Sequence, residues 1–376
     1  MRGNITRRGK QSWRIKYDVG TDLTGKRIIS YKTIKGTRKQ AETELAKLLT
    51  DLSEGRYVAP TVETVETYAR HWIDNVAPAT RSEQSVERYR SIINSHIIPG
   101  LGSVELQKLD GAAIDQFYAK LRNEGRRWGG GLSPTSMVNV HRMLSQILSS
   151  ATKARKIARS PLADVETKPK AKQKPIVVPE ECELGALLTR LSGHWLYMPT
   201  LLAAYVGLRR GEVLGLRWRD IDFTKGKLEV AQKVEVVGGK IRIGVPKTDR
   251  SHRTVTLPSG LLPELTRHRK EQSAWRLRLG LGKDKADLVF TTPAGEMINP
   301  TVFSETFKKM AGIKFHAMRH LHITHMLKNG VPLHIVSARA GHSKPSTTLD
   351  AYAHLLGDKD ELAAKAADAM LLRILK

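Results

Sequence analysis

Four short segments in the C-terminal half gather side chains able to act on an anionic ester. The first is Gly207-Leu208-Arg209-Arg210-Gly211-Glu212. Gly207 is expected to end one helix and Glu212 to fall in the first turn of the next. Arg209 then sits near a helix N-terminus, where anions are favoured. The second, Pro246-Lys247-Thr248, puts Lys247 in a turn between two strand candidates. From there a flexible cation can reach into a cleft and give up a proton. In the third, His316-Ala317-Met318-Arg319, a histidine and an arginine stand three apart, on one face of a helix. The fourth runs from Gly341-His342-Ser343 to Thr347-Thr348-Leu349-Asp350-Ala351-Tyr352. Its Gly-His pair marks a helix end, and Ser346-Thr347-Thr348 is expected to cap a short helix presenting Tyr352.

Exchange of a phosphodiester without a metal needs a nucleophile, cations around the non-bridging oxygens, and a proton donor for the leaving oxygen. The forked, permanently charged arginine head suits the second task. No strong metal pattern competes. His316 and His320 are four apart, but position 317 is alanine, so the zinc-protease pattern with its glutamate is missing. Cys182 is the only cysteine, which excludes an intramolecular disulfide and a multi-cysteine metal site. Taken singly, each segment has an ordinary explanation: a basic helix junction, a solvated hairpin lysine, a structural histidine, a buried tyrosine.

Bulk charge points to a polyanion as partner. The chain of 376 residues carries a formal net charge of +26. Such an excess repels itself and is tolerable when phosphates neutralise it and release counterions. It is spread along the whole chain, whereas a membrane-surface helix would concentrate it. No run approaches the roughly 18 apolar residues of a membrane span. The first residues, Met1-Arg2-Gly3-Asn4-Ile5, lack the apolar stretch of a secretory signal. An intracellular, cytoplasmic protein is expected.

The elements that must position these residues are mainly α with small β-sheets, an α+β class. Residues 1–57 form a unit of their own, a three-stranded sheet backed by one helix. Trp13, Ile15, Tyr17 and Val19 alternate as a strand; Asp22 to Gly25 turn, and Ile28 to Ile34 return. Thr37 caps a helix running to Ser53, with Leu45, Leu48, Leu49 and Leu52 on one face. Residues 62–160 form four helices. One spans Val62 to Asn75. The second is capped by Ser82 and stopped by Pro99-Gly100, the third is capped by Asp110, and the fourth opens on Ser133-Pro134. Residues 161–177, rich in lysine and proline, form a basic linker. From 178 to 376 helices flank three short strands near Leu228–Val230, Ile241–Val245 and Thr254–Leu257, and Gly238-Gly239 turns a hairpin between the first two.

In type, order and spacing the four segments resemble those of the tyrosine recombinases, or phage integrases. Arg209, Lys247, His316, Arg319, His342 and Tyr352 occupy the positions of that family's catalytic set. Ala317, Val206 and Ala340 stand where relatives often carry an acidic residue, threonine and leucine. The resemblance implies a SAM-like helical core-binding domain, an arm-site-binding N-terminal module and a mixed α/β catalytic domain. It implies that Tyr352 attacks the scissile phosphate to form a 3′-phosphotyrosyl link, with no cofactor. His316 is expected as general base and Lys247 as general acid, while Arg209, Arg319 and His342 hold the phosphate. It further implies double-stranded DNA with attachment-type sites as substrate and a homotetramer as the working form. A DNA-bending protein and an excisionase are the accessory partners it allows. A tail helix bearing Leu362, Ala366, Ala369, Met370 and Leu372 docks on a neighbouring protomer in this scheme. The competing expectations are a type IB topoisomerase-like relaxing enzyme and a non-catalytic DNA-binding regulator.

Overall fold

A computed structural model of the chain describes residues 3–21, 24–55, 57–126, 128–171, 178–245, 252–282, 286–353 and 364. The chain divides into two units, Met1–Gln173 and Lys174–Lys376.

The first unit opens with an antiparallel sheet of β1 (Gly3–Gly9), β2 (Ser12–Thr21) and β3 (Arg27–Lys35), in that order. Ile15 and Tyr17 on the central strand bury one sheet face against Ala41 and Leu52 of α1 (Arg38–Ser53). Thr37 caps α1: its hydroxyl accepts from the Gln40 amide, and the Gln40 side chain accepts from the Thr37 amide. This reciprocal pair fixes the entry to the helix.

Next come α2 (Val65–His71), α3 (Ala77–Thr80), α4 (Glu83–Ile92), α5 (Ile98–Leu101), α6 (Gly111–Glu124) and α7 (Pro134–Lys153). Helices α2 and α3 are one rod joined by a π-helical turn, Trp72–Val76, and α4 and α5 are joined the same way by Ile93–Ile97. The expected stop at Pro99-Gly100 is therefore passed, and the helix continues to Leu101. Pro78 and Pro99 each follow such a widened turn. There the amide before the proline bonds five residues back, which relieves the clash of the ring with a carbonyl four back. Asp110 caps α6 through the Ala113 amide, and Ser133 caps α7 through the Ser136 amide. The core joins Ile93, Ile97, Ile114, Tyr118, Leu144 and Ile147. The expected linker begins later than residue 161. Pro161–Asp164 is a 3₁₀ turn with Leu162 buried, and the Asp115 carboxylate accepts from the Glu166 and Thr167 amides. Residues 172–177 lie outside the described residues.

The second unit is built on α9 (Tyr197–Val206), which follows α8 (Glu181–Arg190). Helix α9 is apolar nearly all round, and eight of its ten residues are buried. That pattern makes it a central helix. After α10 (Arg210–Leu214) come two small sheets. One joins β4 (Ile221–Asp222), β5 (Lys227–Val230) and β8 (Arg253–Thr256), antiparallel in that order. The other is the hairpin β6 (Lys233–Val237) and β7 (Lys240–Gly244), turned at Gly238-Gly239 with both glycines at positive φ. The hairpin partner of β7 is thus β6, not the segment around Leu228, which pairs with β8. The unit continues with α11 (Leu261–Arg278), α12 (Pro300–Ala311), α13 (His316–Lys328), α14 (Leu333–Ala340) and α15 (Pro345–Tyr352). Helix α13 lies against α9 and α14, and α15 against α14.

Leu144 is fully buried in the helical core of the first unit. Leu144→Ala is expected to lower the stability of that unit by about 2–5 kcal/mol through lost transfer energy and the cavity left behind. In urea unfolding, the transition of the first unit should move to lower denaturant while the second unit's transition stays in place.

Candidate active site

The site assembles where helices end. Gly207 closes α9 in the left-handed conformation, with φ of +76°. A Cβ there would lie 2.5 Å from the His322 ring, so both conformation and space demand glycine. Gly341 closes α14 in the same way, with φ of +66°, and a Cβ there would lie 2.9 Å from Arg253 Nη1. These two chain reversals present the carbonyls of Gly207, Ala340 and Gly341 to two arginines.

Arg319, on the buried face of α13, is 1% exposed. Its Nη1 donates to Gly207 O and its Nη2 to Ala340 O, each at 2.6 Å. Among the described residues no carboxylate forms an ion pair with it. Burial works against its charge, and Arg209 adds to that effect. The carbonyl ends of two helices stabilise a cation without neutralising it.

Arg209 precedes α10, which begins at Arg210. Its Nη2 donates to Gly341 O at 2.8 Å, and its Nη1 to Glu212 Oε1 at 2.8 Å. Glu212 also accepts from the Arg209 amide at 2.9 Å. Arg253 closes the arrangement from β8. Its Nη2 donates to Glu212 Oε2 at 2.9 Å, its Nη1 to Oε1 at 3.2 Å, and its Nε to Arg339 O at 2.7 Å. Burial alone would raise the Glu212 carboxyl, but the hydrogen bonds and charge of Arg253, then Arg209, bring it down to about 2. One carboxylate thus holds two guanidinium groups in register. Arg209 keeps the more open side chain, 35% exposed against 7% for Arg253.

The histidines surround this pair. His342 Nδ1 is 2.7 Å from Thr348 Oγ1, a fully buried hydroxyl on α15. Burial, and then Arg319 and Arg209, push His342 down to about 4. His316 is pushed down to about 4 by burial first, then by the neighbouring His320 ring and by Arg319 and Arg209. Both rings are therefore neutral near pH 7 and able to donate one N–H. His316 lines a cavity of about 550 Å³ together with Arg209, Arg210, Lys308 and Lys314.

Tyr352 ends α15 and is 2% exposed. Its hydroxyl forms a short hydrogen bond with His320 Nδ1. Burial raises the phenol to about 12, while Arg319 pulls the other way. The contact expected of His316 is thus made by His320. His316 stands one ring further out, packed edge to face on His320 with centroids 4.6 Å apart.

Five of the six expected residues, Arg209, His316, Arg319, His342 and Tyr352, come together in this way. Lys247 lies outside the described residues, as do Leu362, Ala366, Ala369, Met370 and Leu372 of the expected tail helix. Helix α15 is capped differently from expectation. Its N-cap is Lys344 and Pro345 is its first residue, so Ser346, Thr347 and Thr348 are helical. The three substituted positions are buried, Val206 and Ala317 in the main core of the unit and Ala340 in the smaller cluster that includes Tyr352. Sequence reasoning missed Arg253 and His320. Arg253 stands six residues after Lys247, and no local pattern assigns it a task. His320 was weighed only as half of a metal pair, although its spacing from His316 already placed both rings on one helical face.

Two family descriptions match the chain. One, the phage integrase family, covers residues 182–358; the other, the phage integrase N-terminal SAM-like domain, covers residues 64–122. The chain belongs to the phage integrase family and is a tyrosine-type site-specific recombinase. It is 29% identical to a tyrosine recombinase XerC-like protein of Caldanaerobacter subterraneus subsp. tengcongensis, over 94% of this chain and 95% of that one. It is 26% identical to an integrase of Streptomyces ambofaciens, over 97% and 95%. Among solved structures it is similar to the Tn1549 transposon integrase in complex with a circular intermediate DNA. That match has a TM-score of 0.65 at 20% identity, over 82% of this chain and 99% of the other. It is also similar to a lambda integrase dimer bound to a core site, with a TM-score of 0.55 at 17% identity over 95% of each chain.

Removing the Glu212 charge leaves the buried Arg253 guanidinium and the half-buried Arg209 guanidinium without their shared anion. Glu212→Gln is expected to destabilise the second unit by about 3–5 kcal/mol. Because the folded carboxyl lies below its ordinary value of 4.5, at about 2, its stabilisation is complete above pH 4.5. It is lost as the pH falls toward 2. Thermal unfolding between pH 6 and pH 3 should show that loss in the wild type and a flatter profile in the variant.

Proposed function

We propose that the chain integrates or excises a mobile element, such as a prophage, by breaking and rejoining DNA at attachment-type sites through Tyr352. One observation carries the reading. Arg319 is a fully buried cation with no carboxylate partner among the described residues, and it stands beside Arg209 and the nucleophile candidate. A site of that kind is completed by an anion, and a phosphodiester meets two guanidinium groups in the geometry they favour.

In this reading the Tyr352 oxygen attacks the scissile phosphorus. A phosphotyrosyl ester forms on the 3′ side and the bond to the 5′ oxygen breaks. Arg209 and Arg319 neutralise the charge that grows on the non-bridging oxygens, neutral His342 donates an N–H group to them, and His316 is the base that the family resemblance assigns to the Tyr352 proton. Lys247 gives the leaving 5′ oxygen its proton. A 5′-hydroxyl of a second duplex then reverses the attack. The energy of the broken bond stays in the phosphotyrosyl ester, so no cofactor is required. Two duplexes must be brought together, which a homotetramer on paired sites achieves. The tail helix, a DNA-bending protein and an excisionase would control that assembly. The lambda integrase tetramer solved on a Holliday junction supports a tetrameric form. The high positive charge supports binding that weakens steeply with salt.

Arg319→Lys tests the cradle. An ammonium group offers no fork and cannot serve two carbonyls and a phosphate at once. Covalent protein–DNA adduct formation should fall by about 10²–10³-fold, with duplex affinity changed by less than about threefold. Tyr352→Phe should form no adduct while still binding the site. Joining of two different duplexes by the wild type supports recombination; relaxation of one supercoiled duplex without joining favours a topoisomerase.

A further inference from the structure

The six residues expected to do the chemistry do not include the side chain that touches the nucleophile. His320 lies one turn after His316 on α13, and its Nδ1 is the only hydrogen-bond partner given to the Tyr352 hydroxyl among the described residues. The two rings are 5.6 Å apart, centroid to centroid. We infer that His320 is the general base that takes the Tyr352 proton, and that His316 acts on the phosphate rather than on the tyrosine. The inference rests on the functional reading above and refines it.

Geometry comes first. Transfer of the phenolic proton requires a base within hydrogen-bond reach of the oxygen, and among the described residues His320 satisfies that. His316 contacts His320 through its ring and lines the cavity shared with Arg209, Arg210, Lys308 and Lys314, a position suited to an anion.

Protonation state agrees. The charged or titratable groups around His320 are His316 and Arg319 on its own helix, Tyr352 from α15, and His342 from the loop after α14. Burial, and after it Arg319, lowers His320, so the ring is neutral near pH 7 and can receive a proton. Tyr352 needs such help, because burial holds its proton more tightly than in water.

The hydroxyl proton passes from Tyr352 Oη to His320 Nδ1 as the Oη–P bond forms. The bond from phosphorus to the 5′ oxygen breaks, and that oxygen takes a separate proton from the acid, Lys247 in the reading above. In the reverse step His320 returns its proton to the tyrosine.

The experiment measures single-turnover adduct formation by the full-length protein. Its substrates are nicked suicide duplexes tiled across the DNA bordering the element that carries the gene. His320→Asn keeps an oxygen near the Nδ1 position to accept a hydrogen bond but cannot take up a proton. Its adduct rate should fall by about 10²-fold or more, with DNA affinity and thermal unfolding as in the wild type. The acidic limb of the wild-type rate profile should vanish in His320→Asn and persist in His316→Asn. A duplex whose leaving 5′ oxygen is replaced by sulfur needs no acid. It should restore Lys247→Ala but leave His320→Asn slow. A His320→Asn rate within about threefold of wild type, or restoration of that variant by the sulfur substrate, overturns the inference. If His320→Asn does not fold, the rate profile of His316→Asn decides. An unchanged acidic limb in His316→Asn supports His320, and its loss overturns the assignment. Wild-type protein that forms no adduct on any duplex overturns the functional reading, and this inference with it.

Discussion

The buried carboxylate of Glu212 is the constraint on which the second unit depends. It is 6% exposed and receives Arg253 on both oxygens and Arg209 on both its amide and its side chain. Two guanidinium groups this close repel each other, and in a buried setting that repulsion is large. Glu212 offsets it and sets where Arg209 stands. Arg253 in turn reaches the Arg339 carbonyl and lies against Gly341, so the same carboxylate ties β8 to the end of α14. Strand, helix junction and site are therefore one electrostatic unit.

What Glu212 leaves over is equally important. Among the described residues, Arg319 donates its hydrogen bonds to carbonyls, at the C-terminal ends of α9 and α14. Such ends carry partial negative charge and orient a cation without cancelling it. Had a second carboxylate been placed there, the buried pair would be self-sufficient and a phosphate would have nothing to gain. Histidines kept neutral by burial and by neighbouring arginines complete a shell of donors. The site is thus preorganised for an anion, and its cost is carried by helix-end geometry that only glycine at 207 and 341 permits.

Much of this was legible in the sequence because it rests on local rules. Thr37, Asp110 and Ser133 cap the helices they were expected to cap, and the alternation of Ile15 and Tyr17 gave the buried face of the first sheet. Gly207 and Gly341 ended their helices as their neighbours suggested. What escaped depended on contacts between distant segments. Nothing local to Arg253 says that it meets a glutamate 41 residues away, and nothing local to His320 says that Tyr352 will meet it across 32 residues. The strand Lys233–Val237 was passed over because its alternation is short and charged, and the π-helical turns before Pro78 and Pro99 have no simple residue signature.

In the proposed reaction Tyr352, seated against this cradle, makes the bond to DNA. The most direct measurement traps the covalent complex on a suicide duplex, digests it and identifies the peptide carrying the nucleotide by mass. A single modified peptide is expected, with the nucleotide on Tyr352 joined through a 3′ phosphate. A nucleotide on any other residue, or a link through a 5′ phosphate, would contradict it.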